Sequence, residues 1–231
     1  MSAEISQLLE QAQDEQSDGQ EPSRIILGTQ WEVECFDGYV LKSPRNPDVD
    51  KADVLHSRHL IAMDAMNDQY YHPNNLGDVP VPPMIMLPDN SKMVQLLSNG
   101  DCLADLSNEQ LAGLPTDVIQ ALIHLLNASL VTTKKNGKLN DFPDLPGYNF
   151  KLRPDKRFIA ALQARQSINI LVGNQVDFVD PDLYFASCRN WLTKTMAWLM
   201  KPIMFQQAVQ FRKLLNAILI ECGEEPILCL S

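Results

Sequence analysis

Trp31-Glu-Val-Glu-Cys35 alternates apolar and acidic side chains, a period of two that places Trp31, Val33 and Cys35 on one face of a strand. Asp37-Gly38 follows, a pair suited to the positive φ angles of a tight two-residue turn, and Tyr39-Val-Leu41 returns. Two weaker copies of this device lie further along. Met93-Val-Gln-Leu-Leu97 leads through Asn99-Gly100 into Cys102-Leu103, and Ile168-Asn-Ile-Leu-Val172 leads through Gly173-Asn174 into Val176-Asp-Phe-Val179. Three antiparallel pairs without strand–helix–strand alternation predict an α+β fold of antiparallel hairpins with packed helices. The C-terminal third reads as mainly α-helical.

Helical spacing fills the intervals. Asp50 to Tyr70 carries Val54, Leu55, Ile61, Ala62 and Ala65 at helical intervals, with Asp48 or Asp50 as N-cap. Ser107-Asn-Glu-Gln110 matches a capping box, and a helix is expected from Thr116 to Leu130. Asp182–Met200 and Ile203–Cys222 read as two helices meeting at Lys201-Pro202, because proline is tolerated at the first turn of a helix. Gly223 is a natural stop. The polar, Gly/Pro-marked run from Lys134 to Gly147 is the best candidate for a boundary. The expected organisation is therefore a flexible or docking arm over 1–23, an α+β body over 24–133, and a mainly helical region with one hairpin over 148–231. In the arm, Ile5, Leu8 and Leu9 share a helical face.

The 231 residues carry 29 acidic and 19 basic side chains, a net charge of -10, which disfavours a general nucleic-acid binder. The charge is uneven: residues 1–90 hold 16 acidic side chains against 5 basic, whereas residues 142–231 hold 8 against 10. The one basic cluster, Lys151 to Arg157 beside Phe150 and Phe158, gives a weak nucleic-acid alternative. Cys35, Cys102, Cys188, Cys222 and Cys229 are widely spaced and odd in number, as expected of thiols in a reducing cytoplasm. Neither a signal peptide nor a transmembrane run is expected.

Catalytic motifs are sparse. The chain has no Gly-x-Ser-x-Gly, Walker or Gly-x-Gly-x-x-Gly run. Asp53, His56 and His59 fall three apart, so a helix would bring oxygen and nitrogen donors to one face, a weak metal site for a small metal-dependent enzyme. Two histidines on such a face are otherwise ordinary surface residues, while His124, amid Leu122, Ile123, Leu125 and Leu126, reads as a hydrogen-bonded histidine at a core edge.

Hydrophobic surface is the stronger clue. Trp191 and Trp198 lie seven apart, Met196, Met200 and Met204 four apart, and the tail ends in apolar residues including Leu228 and Leu230. Tryptophan with methionine is what an adaptable interface uses. The expectation is a non-enzymatic adaptor or assembly protein that binds a protein partner or itself, with no cofactor. Such a chain would suit an accessory or structural component of a phage-type particle.

Overall fold

The structure, a computed structural model, describes residues 6–7, 10–12, 20–27, 31–48, 50–136, 170–179 and 191–228. For residues 191–204 it describes the course of the backbone alone. It is α+β, and it divides into two compact units. Unit one comprises the described residues up to Ser57 together with Val81–Asn99; unit two comprises Arg58–Pro80 and the described residues from Gly100 onward.

Unit one is built on a five-stranded antiparallel sheet. Its strands are β1 (Arg24–Leu27), β2 (Trp31–Cys35), β3 (Tyr39–Pro44), β4 (Met84–Met86) and β5 (Met93–Leu96), in the order β1-β2-β3-β5-β4. The β2–β3 hairpin expected from alternation is present, with Cys35 opposite Val40 and Trp31 opposite Pro44. Its turn needs one left-handed residue rather than two, since Gly38 alone takes a positive φ, 87°. The pleat sorts the side chains into two apolar layers. Phe36, Tyr39, Leu41, Leu87 and Val94 cluster with Ala12 on one side. Trp31 and Met93 cluster on the other with Ala52 and Leu55, from the first turn of helix α1 (Ala52–Met66). Ala12, within the stretch read as a flexible or docking arm, is buried, and Gln11 Nε2 donates to the Asp37 carbonyl at 3.1 Å. Ile5, Leu8 and Leu9 lie outside the described residues.

Unit two holds a three-stranded sheet, β6 (Asp101–Cys102), β7 (Ile170–Val172) and β8 (Val176–Phe178), in that order. The β7–β8 hairpin follows the sequence expectation, with Val172 opposite Val176. The hairpin expected across Asn99-Gly100 does not form. Both edges of β5 are occupied, by β3 and β4, so β6 pairs with β7 instead, Cys102 opposite Leu171. Gly100 is required there: a Cβ at that position would sit 2.7 Å from the Val172 carbonyl carbon.

The helices of unit two obey their end signals better than their interior ones. Helix α2 (Asn108–Ala112) starts on the expected capping box, Ser107 Oγ accepting from the Gln110 amide while Gln110 Oε1 accepts from the Ser107 amide. Helix α3 (Thr116–Asn136) runs past Leu130, and Ser129 and Thr132 satisfy their hydroxyls by donating to the carbonyls of Leu125 and Ala128. Helix α4 (Trp191–Glu221) is one continuous 31-residue helix, not two meeting at Pro202. A proline removes a single amide donor, while each further residue of a helix already nucleated adds its own bond. Gly223, at φ 85°, ends α4, with the Glu224 amide donating to the Leu219 carbonyl. Among the described residues no helix is long and apolar enough to cross a membrane.

Candidate functional site

The register of unit one places Val40 and Lys42 of β3, Met93 and Gln95 of β5, Met84 and Met86 of β4, and Trp31 and Val33 of β2 on one face of the sheet. Lys42 stands between Val33 and Met93, and Gln95 between Val40 and Met84. Both polar side chains are inside, Lys42 at 4% exposure and Gln95 at 1%. They sit on neighbouring central strands, diagonally placed at a Cα separation of about 7–8 Å.

Burial of this kind is costly. An ammonium taken out of water must find an anion or several acceptors. Among the described residues the buried Gln95 amide has neither Nε2 nor Oε1 hydrogen-bonded, a penalty of about 1–3 kcal/mol for each group left unmade. The surroundings are apolar and adaptable, since three methionines share the face and methionine repacks readily around an inserted group. Cys35 lies on the same face, and burial pushes its thiol up from the ordinary value, with Arg24 opposing. It is therefore held further from the thiolate form than an exposed cysteine.

Unit two contains a second buried polar group of a different kind. Tyr70, in the π-helical turn Asn67–Tyr71 that continues α1, meets His124 Nδ1 of α3 at 3.0 Å. Asn127 Nδ2 donates to the Tyr70 hydroxyl at 3.0 Å, and Arg212 Nη1 of α4 donates to Asn127 Oδ1 at 3.0 Å. With the amide donating to it, the Tyr70 hydroxyl can donate onward to a neutral His124. Burial holds the His124 pKa below its ordinary value, in keeping with that acceptor role. This is the core-edge histidine expected from the sequence. Asp177 of β8, also buried, accepts from Gln175 Nε2 at 2.9 Å.

The residues singled out in the sequence are placed otherwise. Asp53 Oδ1 accepts from the Val54 amide at the start of α1, His56 is half-buried, and His59 is buried at 1% exposure rather than on a polar surface. Among the described residues no three His, Cys, Asp or Glu side chains are arranged to hold a metal ion. The metal-site expectation at Asp53, His56 and His59 is therefore not met. His72 instead pairs with Asp78 at 2.8 Å on the surface. The side chains of Trp191, Met196, Trp198, Met200 and Met204, together with Leu230 and Lys151 to Arg157, lie outside the described residues; Leu228 is exposed. Lys42 and Gln95 were missed by sequence reasoning. The available signal was a lysine closing the apolar run Tyr39-Val-Leu41 in a strand that reads as buried on both faces.

No protein-family model matches the chain, and no curated protein matches it. A solved structure, the GDP and kanamycin complex of APH(2")-IIia, is similar over 93% of each chain, at 12% identity and a TM-score of 0.29. That structure is a complex with GDP and kanamycin, where the sequence led to the expectation of a non-enzymatic adaptor or assembly protein. The expectation is not carried further, and the Trp191–Met204 side chains on which it stood lie outside the described residues. A TM-score of 0.29 carries nothing further, and what this chain binds has to be read from its own side chains.

Proposed function

We propose that unit one binds a nucleotide through the face that carries Lys42, and that the chain belongs functionally among phosphoryl-transfer proteins. The observation that carries this reading is a lysine at 4% exposure on the central strand β3, inside an apolar, methionine-lined face. A phosphate oxygen would add a charge-assisted hydrogen bond in a dry setting, and those are the strong ones. In kinase-type phosphotransferases the lysine that holds the nucleotide's phosphates stands on the third strand of an antiparallel sheet, ahead of a helix. Lys42 has that place in chain order: Val40-Leu41-Lys42 lies on β3, and α1 comes next.

Further along, Asp177-Phe178 on β8 repeats the aspartate–phenylalanine pair of that class, with Val179 where the class has glycine. Besides Val179, three departures are plain: there is no Gly-x-Gly-x-x-Gly run, there is no His-Arg-Asp run, and α1 carries Asp53 and Asp64 but no glutamate. These bear on catalytic rate and on the phosphate cover, not on whether a buried lysine can hold a phosphate.

The test is titration calorimetry with magnesium–ATP and with inorganic tripolyphosphate, on the wild type and on Lys42→Met, which keeps the stem and removes the charge. We expect the substitution to weaken tripolyphosphate binding at least tenfold while the circular dichroism spectrum stays unchanged. Equal binding by the two proteins, or no binding by either, would overturn the reading.

A further inference from the structure

We infer that the outer face of α1 is a docking surface for a basic amphipathic helix of a partner protein. The inference stands apart from the nucleotide reading of Lys42. Val54, Leu60 and Ile61 are large apolar side chains left 43%, 42% and 55% exposed, and all three lie on this one 15-residue helix. At about 100° per residue, Val54 and Ile61 share one line along the helix, and Leu60 lies about 100–120° round from it. Asp53, Ser57 and Asp64, all exposed, fall in the sector between. On the opposite side Ala52, Leu55, Ala62 and Met66 are buried, so the helix is held from within and offers its outer sector as a fixed platform. A single apolar residue at a surface is ordinary. Three in one sector, two of them seven apart, match the contact line of a helix pair that lacks its second member.

Charge decides what the second member is. The ionised groups in the sector are both carboxylates, and Asp68 follows, exposed, in the π-helical turn. Arg58 borders the sector, but its Nη1 is buried. A second copy of the chain is a poor match, because two α1 faces packed antiparallel about a two-fold axis would set Asp53 of one against Asp64 of the other. An anionic lipid surface is repelled for the same reason. A helix with apolar residues seven apart and lysine or arginine beside them fits on both counts. Its apolar side chains pack on Val54 and Ile61. Its long basic side chains lie along the apolar surface and bring their charged ends to the aspartates.

The experiment uses a synthetic helical peptide with leucines seven apart flanked by lysines, and two controls. One control has glutamate for each lysine and the other has serine for each leucine. Fluorescence anisotropy follows their binding to the full chain and to two variants, Val54→Ser/Ile61→Ser and Asp64→Lys, which alter only exposed side chains. Circular dichroism verifies that both variants fold. The wild type should bind the lysine–leucine peptide at least tenfold more tightly than either control. The serine variant should lose at least tenfold in that affinity, and Asp64→Lys should narrow the preference for lysine over glutamate at least tenfold. Equal binding of the lysine–leucine peptide by the wild type and the serine variant would mean plain adhesion to an acidic protein and would overturn the inference. So would equal binding of the two leucine peptides by the wild type, or no binding of any peptide.

Discussion

Two buried polar groups in this protein have opposite accounts. In unit two, Tyr70, His124, Asn127 and Arg212 hand hydrogen bonds along a chain in which each inner group both gives and receives. In unit one, Gln95 is as deeply buried as Asn127 yet its amide has no hydrogen-bond partner among the described residues. The first arrangement is complete without any other molecule, and its role is to join a π-helical turn, α3 and α4. The second leaves its hydrogen-bonding groups unmade among the described residues. The lesson is that the satisfaction of a buried amide, more than its burial, makes it a fastening.

Asn127→Ala is the harshest way to test the completeness of the first group. It removes the donor to the Tyr70 hydroxyl and the acceptor of the Arg212 guanidinium together, and we expect a loss of about 3 kcal/mol in urea denaturation, since each unmade buried bond costs about 1–3 kcal/mol. A loss below about 1 kcal/mol would show that the network is ornamental and would erase the contrast.

Acid gives a smaller, graded test of the same group. The His124 pKa is lowered by burial from its ordinary 6.5. Above pH 6.5 neither the folded nor the unfolded form holds the proton, so its contribution is constant. Below 6.5 the unfolded chain takes up the proton first, and stability falls as pH falls until the folded form's own lower pKa is reached. Between pH 6.5 and 5.5 stability should therefore fall, and the fall should disappear in His124→Gln. Denaturation curves at the two pH values, wild type against variant, read it directly; equal slopes would mean that His124 is not the titrating group.

The smallest stability change is expected in unit one. Gln95→Leu removes two unmade hydrogen-bonding groups and keeps an apolar side chain of similar length. It should leave the midpoint of unfolding unchanged or raise it slightly, within about 0.5 kcal/mol. A loss of more than about 1 kcal/mol would assign the amide a structural duty and collapse the distinction between the two groups.

How much of this was legible in the sequence depends on whether the cause was local. The β2–β3 and β7–β8 hairpins, the Ser107–Gln110 capping box and the Gly223 stop each depend on residues a few positions apart, and each is found. The partners of β5 were not legible, because an apolar run says that a strand is buried but not which strand lies beside it. Met93 to Leu96 therefore suggested a hairpin with its next neighbour in the chain, where the sheet sets it between β3 and β4. Pro202 misled in a related way: a local signal was overridden by the cooperativity of a long helix. The candidate site was the least legible part. Lys42 and Gln95 are 53 positions apart, and only the pairing of β3 with β5 puts them on one face.

Asn216 on α4 holds the tail by donating from Nδ2 to the Ile227 carbonyl at 3.1 Å and accepting from the Ile227 amide at 2.7 Å with Oδ1. A grip on main-chain atoms is blind to the side chain it holds. Nearly any residue at 227 would present the same amide and carbonyl, and proline, which lacks the donor, is the exception. Mutational drift can therefore rewrite the chemistry of this stretch of tail without releasing it from the helix, so long as residue 216 remains an asparagine.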